Sequence, residues 1–444
     1  MQLTSWGRYP VVESNITTPR DPEDALTYLT RSKHIIGRGL GRSYGDSALA
    51  PEVLSCLGLD HMESFDPQTG TLVAESGVSL ADILTAFLPR GWFLPVTPGT
   101  KFVTLAGAVA SDVHGKDHHI AGTFSNHVEW FDIWTPQLGL IRCSSSEHAD
   151  IFNATCGGMG LTGFIVRVAV RLVRVPSAFI AQDVIKAKNL TEIMEIFEQS
   201  GHYPFSVAWI DCLTTGEAQG RSVLMAGKFA RMDELKGSLR MTPHQTPQPH
   251  AVRIPFDFPS YALNTFSVRA FNALYYAKAP KGKSHGVVSY NSFFYPLDAL
   301  HHWNRIYGRR GFTQYQFVIP REASSHGLPR ILSRIAAAGQ GSFLAVLKLF
   351  GAHPERTNSL SFPREGYTLA LDFAVNQKLF PLLNELDAMV LDFGGRHYLT
   401  KDCRLTKDTL QKGYGEKLDQ FKEVRERVDP NHIFGSVQSR RLDL

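Results

Sequence analysis

The sequence predicts an α+β protein, and three observations carry that class. Over the first 175 of its 444 residues, short β-rich runs alternate with short helical patterns. Composition shifts near residue 180, ahead of a proline-rich stretch and an acid-free aromatic one. Toward the end, an apolar helical stripe is followed by a strand and a last helix. At ~100–200 residues per domain, the length suggests two to four domains.

The elements follow in order. His34-Ile35-Ile36 reads as a strand entering a glycine-rich stretch, and Thr71–Glu75 as another. Ser79-Leu-Ala-Asp82 opens an apolar run (Ile83, Leu84, Phe87, Leu88) with the pattern of a capping box. Trp130–Cys143 reads as two strands around a Pro/Gly turn, and Ile165–Val175 as a half-exposed strand. The five prolines of 242–260 (Pro243, Pro247, Pro249, Pro255, Pro259) mark a long loop. Residues 258–297 contain no acid but hold Arg269, Lys278, Lys281 and Lys283 among many aromatics. Leu379, Leu382, Leu383, Leu386, Met389, Val390 and Phe393 keep helical spacing until Gly394-Gly395 stops them. A strand, Arg396–Leu399, comes next, and a helix from Leu418 to Val428 ends at Asp429-Pro430.

Composition excludes several classes. With 43% hydrophobic and 20% charged residues, the chain is not disordered. A net charge of +4, from 46 basic and 42 acidic residues, is too balanced for a dedicated nucleic-acid binder, so no nucleic acid is expected as partner. Cys56, Cys143, Cys156, Cys212 and Cys403 show no CxxC spacing, which argues against a disulfide framework and for a reducing, cytoplasmic compartment. The N-terminus lacks the apolar core of a secretory signal, and no run approaches the ~18 apolar residues of a membrane span. The expected protein is soluble, or at most peripheral to the inner membrane.

Glycine is the outlier. Twelve of 37 glycines fall in three stretches, 37–45, 99–122 and 157–163. Such clusters mark sharp bends or close approach to a ligand. In Gly37-Arg-Gly-Leu-Gly41, the third glycine comes one residue too early for a dinucleotide fingerprint, and no helical pattern follows. Gly41-Arg-Ser-Tyr-Gly45 matches a serine-hydrolase elbow formally, yet Asp46–Pro51 is a poor helix, and the elbow needs one. Exposed amides beside Arg38 and Arg42 suit an anion, a diphosphate above all. Small residues from Thr104 to Asp112 would let a flat group lie on the backbone, or would pack as a tight helix. His114 and His118 have the i,i+4 spacing of a metal site, but Gly115 breaks the helix and no acidic ligands accompany them, so no metal is expected. Cys156–Gly163, taken alone, is a turn between a helix and a strand.

Six segments together resemble the FAD-linked oxidases of the vanillyl-alcohol-oxidase type, which carry a PCMH-type FAD-binding domain. Within these, the chain is most similar to the decaprenylphosphoryl-ribose 2′-oxidase-like family. The segments are GRGLGRSYGD (37–46), PGT…TLAGAVASDVHGKDHH (98–119), AGTFSNHV (121–128), GGMGLTG (157–163), QYQFVIP (314–320) and GGRHYLTKDCR (394–404).

The resemblance implies a two-subdomain FAD-binding domain over 1–175. An α+β substrate domain with an antiparallel sheet would span 176–395, and a segment, 396–444, would close the active site and pack back on the FAD domain. Gly37, Arg38, Gly39, Leu40, Gly41, Arg42, Ser43, Tyr44, Gly45, Asp46 and Ser47 would form the diphosphate loop. Gly99, Thr104, Leu105, Ala106, Gly107, Ser111, Asp112, Val113 and His114 would line the flavin, with Ile165 and Tyr398 completing the site. Relatives that attach flavin covalently use a histidine where this chain has Arg42, so FAD is expected to be non-covalent. Lys401 would be catalytic together with His114, and Trp209, Tyr295, Gln314, Gln316, Lys348 and Lys401 would meet substrate. Thr368 and Ala370 stand where the family pattern has an asparagine and a reactive cysteine.

The implied reaction is oxidation of the C2′ hydroxyl of a polyprenyl-phosphoryl pentose, the first half of an epimerisation in cell-envelope synthesis. It implies a lipid-phosphate-linked sugar as substrate and a short-chain reductase as partner. Peripheral membrane contact would fall on the acid-free stretch 258–297. Lys401 would take the hydroxyl proton if its pKa falls from about 10.4 toward neutrality. Lys348, in the apolar run Phe343–Phe350, would need an anionic partner such as the phosphate, or would snorkel from a sheet edge. A soluble polyol or aldonolactone as substrate, and an α/β-hydrolase, are the alternatives.

Overall fold

The computed structural model describes residues 1–246, 251–259, 261–354, 357 and 359–444. Near its start, β1 (Asn15–Thr17) and β2 (Ile36–Arg38) flank β3 (Glu52–Ser55) in a parallel sheet. Helix α1 (Pro22–Leu29) makes the first crossover. Its N-cap, Asp21, accepts from the Asp24 amide, and Pro22 sits where no helical N–H is needed. The strand expected at 34–36 lies two residues later. Ile35 instead bridges Phe434 of the C-terminal segment.

Five antiparallel strands follow: β4 (Met62–Phe65), β5 (Thr71–Glu75), β6 (Val128–Thr135), β7 (Gly139–Ser144) and β8 (Phe164–Arg171), in the order β7-β6-β8-β5-β4. β8 is more buried than its basic residues suggest. Arg167 pairs with Asp132 at 2.7 Å, so the strand lies between β5 and β6 with its charge satisfied. Helix α2 (Leu80–Phe87) has the expected capping box: Ser79 Oγ accepts from the Asp82 amide and Asp82 accepts from the Ser79 amide, both at 3.1 Å. Helix α3 (Leu105–Ala110) is capped by Thr104, and α4 (Ala149–Thr155) precedes the third glycine cluster.

Eight further strands form one antiparallel sheet. They are β9 (Phe179–Ala187), β10 (Phe205–Ile210), β11 (Ser222–Phe229), β12 (Lys283–Ser289), β13 (Phe312–Pro320), β14 (Ala345–Phe350), β15 (Gly366–Ala374) and β16 (Arg396–His397). Their order is β12-β9-β11-β10-β14-β15-β13-β16. One face packs on helices α5 (Leu190–Gln199), α6 (Thr265–Lys278), α7 (Arg321–Ala338) and α8 (Leu379–Asp392) in a core of its own. The acid-free stretch thus contains a helix, α6, and most of it is outside this core. Val268 and Asn272 are buried, whereas Phe266 is 80% and Leu274 72% exposed. Pro247 and Pro249 of the expected loop lie outside the described residues. The short strand Val252–Arg253 pairs in parallel with Leu300–His301.

β16 is shorter than the expected strand and gives way to a 3-10 turn, Leu399–Lys401. Helices α9 (Lys407–Tyr414), α10 (Glu416–Val428) and α11 (Val437–Leu442) then return to the first sheets. Leu399, Leu405, Leu418, Phe421 and Leu442 share a core with residues of β5, α2 and α3. Among the described residues, no helix is long and apolar enough to cross a membrane.

Candidate active site

Strand alternation decides which side chains of the large sheet face away from its helices. Along β13, Tyr315, Phe317 and Ile319 enter the helix-covered core, so Gln314 and Gln316 point the other way. Along β14 and β10, Leu347 and Ala208 enter the core, and Lys348 and Trp209 face out. Register then brings these positions together: Gln314 lies opposite Asp372, Gln316 opposite Ala370, Lys348 opposite Thr368, and Trp209 opposite Val346.

That face closes over the glycine clusters to leave a cavity of about 410 Å³, within the ~300–1,000 Å³ of small-molecule sites. One wall is Gly37, Arg38, Gly39, Leu40, Gly41, Arg42, Ser43, Tyr44 and Ser47. A second is Gly99, Thr104, Ala106, Gly107, Ser111, Val113 and His114, with Ile165 and Tyr398. The third is Trp209, Gln314, Gln316, Lys348 and Lys401.

Five expected residues do not reach the cavity. Gly45 packs against the Asp402 backbone, so closely that a Cβ would lie 1.6 Å from its carbonyl oxygen. Asp46 is buried against Arg441 at 2.8 Å. Leu105 belongs to the core. Asp112 accepts from the Ser125 amide and the Ser361 hydroxyl. The Tyr295 side chain is buried with its hydroxyl 2.6 Å from Thr97 Oγ1, and its neighbours Phe294 and Pro296 line the cavity in its place. The anion-cradle reading also needs adjustment: Arg38 donates to the carbonyls of Thr4 (2.7 Å) and Ala48 (3.1 Å), so it braces the loop. Arg42 lies over the Trp6 ring at 4.0 Å. No helix follows Ser43; the next element is β3, which removes the hydrolase elbow. His119 Nε2 pairs with the Tyr203 carbonyl (2.8 Å), and the His118 ring packs on Phe350.

Electrostatics concentrate at the third wall. The 3-10 turn delivers Lys401 with its ammonium 3.9 Å from the centre of the Tyr44 ring. Burial, with Lys348 nearby, pulls its pKa down to about 7, and Asp372 pulls the other way. Burial likewise lowers Lys348 to about 8 and Lys116 to about 7. His114 is held neutral by burial and by Lys348, His118 and Lys401. Gln316 Nε2 donates to His114 Nε2 (3.1 Å) and Thr368 Oγ1 (3.3 Å), while the Thr368 hydroxyl donates to the Phe317 carbonyl.

Sequence reasoning missed Lys116 and Asp372. Lys116 lines the cavity and donates to the Phe293 carbonyl. Asp372 is buried, accepts from Gln314 Nε2 at 2.6 Å, and is raised by burial to about 7. The alternation of Leu369, Leu371 and Phe373 was the one available signal for Asp372.

The family model for an FAD-binding domain matches residues 15–144, and that of D-arabinono-1,4-lactone oxidase matches residues 371–442. The protein is therefore an FAD-dependent oxidoreductase with a PCMH-type cofactor domain. It is 36% identical to decaprenylphosphoryl-β-D-ribose oxidase of Mycolicibacterium smegmatis over all of this chain and 97% of that one. It is 30% identical to an uncharacterised Streptomyces coelicolor protein over 83% of this chain and all of the other. L-gulono-1,4-lactone dehydrogenase of Mycobacterium tuberculosis is 24% identical over 30% of each chain. The chain belongs to the decaprenylphosphoryl-β-D-ribose oxidase family.

The residues present fit FAD. Gly99 lines the cavity, and a Cβ there would meet no atom within 4 Å, so the backbone itself offers the surface. His114 Nδ1 is a buried polar atom with no hydrogen-bond partner among the described residues.

Proposed function

We propose that this oxidoreductase acts on a polyprenyl-phosphoryl pentose and converts its C2′ hydroxyl to a ketone. One observation carries the reading: Lys401, Lys348 and Lys116 line the same cavity as the glycine-rich walls. A secondary alcohol loses a hydride and a proton on becoming a ketone. Bound FAD supplies the acceptor for the hydride. Lys401, with a pKa near 7, is a neutral amine in a useful fraction of molecules and takes the hydroxyl proton. Burial lowers the pKa of Lys348 and of Lys116 against the opposing pull of Asp117, and a phosphodiester anion supplies a further counter-charge. Neutral His114, aligned by Gln316, holds substrate or cofactor by a hydrogen bond and adds no further charge.

On this reading the glycine loop holds the diphosphate of a non-covalent FAD, with Arg42 where covalent relatives carry histidine. Residues 1–175 form the cofactor domain, 176–395 the substrate domain, and 396–444 the closing segment. The exposed apolar face of α6, beside Arg269 and Lys278, rests on an anionic membrane surface where the prenyl chain lies. The keto sugar calls for a hydride-donating reductase of the short-chain type to complete an epimerisation.

The match of residues 371–442 to D-arabinono-1,4-lactone oxidase favours a second reading, a soluble aldonolactone or polyol as substrate. Anaerobic bleaching of the flavin decides between them. A prenyl-phosphoryl pentose should bleach the enzyme while pentitols and aldonolactones leave it yellow. Bleaching by an aldonolactone alone would overturn the proposal.

A further inference from the structure

The C-terminal helix α11 touches the glycine loop and the Lys401 turn at once. Arg441 donates to Asp46 (2.8 Å) and to Asp402 (2.8 Å), two buried carboxylates 356 residues apart in the chain. Gln438 repeats the arrangement. Its side chain donates to the carbonyls of Leu399 (2.8 Å) and Asp402 (3.2 Å), and its backbone amide donates to the Asp46 carbonyl (3.4 Å). The two clamped segments also bond each other directly. The Tyr44 amide donates to the Thr400 carbonyl (3.0 Å) and the Asp46 amide to the Asp402 carbonyl (3.3 Å). Gly45 sits at this crossing, where no side chain fits.

We infer that Arg441 is a positioning residue that locks the glycine loop to the Lys401 turn, so that loading FAD also orders the catalytic lysine. The physical reason is charge. Without the guanidinium, Asp46 and Asp402 face each other in a poorly solvated crossing, and burial already raises Asp46 to about 6. Without Arg441 a carboxyl takes up a proton or the two oppose each other, and in both cases the loop and the turn lose their common ionic tie to α11. With the guanidinium present, opening either segment breaks its ion pair to Arg441 and its backbone bonds to the other segment, so the two open together. Linkage then requires that whatever stabilises the loop also stabilises the turn, by the same factor in both directions. The inference rests on Lys401 as the base for its catalytic meaning, but the coupling between segments does not.

Hydrogen exchange of the full-length protein, FAD-depleted and FAD-saturated, tests it. In the wild type, FAD should slow exchange in residues 37–47 and 399–405 alike, by about fivefold or more. In Arg441→Met, FAD should still protect 104–111 but leave 399–405 within about twofold of the FAD-depleted rate. Arg441→Lys, which keeps the charge, should restore part of the protection. Asp402→Asn provides a second break of the same link should Arg441→Met fail to fold. Undiminished protection of 399–405 by FAD in a folded Arg441→Met or Asp402→Asn protein overturns the inference. Because exchange does not read turnover, a wrong assignment of Lys401 as base would leave this result intact.

Discussion

Lys401 owes its low pKa chiefly to burial, adjusted by two neighbours of opposite sign. Lys348 lowers it and Asp372 raises it, on top of a larger effect of burial. A base must be neutral to accept a proton, so flavin reduction should rise with pH through about 7. Lys348→Met removes a like charge, raises the Lys401 pKa and should move that limb to higher pH. Asp372→Asn removes an attractive charge and should move it to lower pH. Rapid-mixing reduction rates measured against pH check both, and shifts of the same sign would reject the arrangement. Two glycines separate in the same way. Gly45→Ala forces a Cβ into the Asp402 carbonyl, and overpacking of this kind costs about 1–3 kcal/mol. Gly99→Ala meets only open cavity. The first should lower the melting temperature of the FAD-depleted protein. The second should leave it unchanged and reduce FAD retention.

At the scale of elements, the sequence was most legible where local chemistry is self-sufficient. The capping box at Ser79 and the stripe of α8 needed no tertiary knowledge. Strand β8 was legible at Arg171, which is exposed as the alternation suggests, but not at Arg167, whose acceptor Asp132 lies 35 positions earlier. Asp372 was signalled only by the alternation around it, because its meaning depends on Gln314, 58 positions away and opposite it in register. Tyr295 lies outside the cavity because its ring is buried and its hydroxyl meets Thr97, while Phe294 and Pro296 on either side line it. Lys401 was legible only through family resemblance, because a lysine beside an aspartate is ordinarily a solvated pair. Helix α6 packs through Val268, Asn272 and the rings of Phe271 and Tyr275 and leaves Phe266 and Leu274 exposed, the face proposed for membrane contact. The protein should sediment with anionic liposomes more than with neutral ones, and Phe266→Ser with Leu274→Ser should abolish the difference. Equal sedimentation with both lipids would remove the membrane contact.

At the scale of the molecule, the eight-stranded sheet closes one cavity against the glycine clusters of the first two sheets, and a C-terminal segment is tied to both sides. The three glycine clusters belong to one site because the chain passes that site repeatedly, at 37–47, 97–116 and 159–165. Their order in the sequence therefore carried more than their individual patterns, which also fit turns. The family resemblance implied that the C-terminal segment returns to the first domain, but its contacts, Ile433–Gly435 with Ile35 and Arg441 with Asp46, were not legible, because nothing local marks contacts across some 400 residues. Lys401 is proposed as the base of a flavin-dependent alcohol oxidation in this cavity. The most direct test of this proposal is anaerobic stopped-flow reduction of FAD-loaded Lys401→Ala by a prenyl-phosphoryl pentose. The variant should keep its yellow colour and full FAD content yet be reduced about 10²–10⁴ times more slowly than the wild type. Reduction at the wild-type rate would contradict the account.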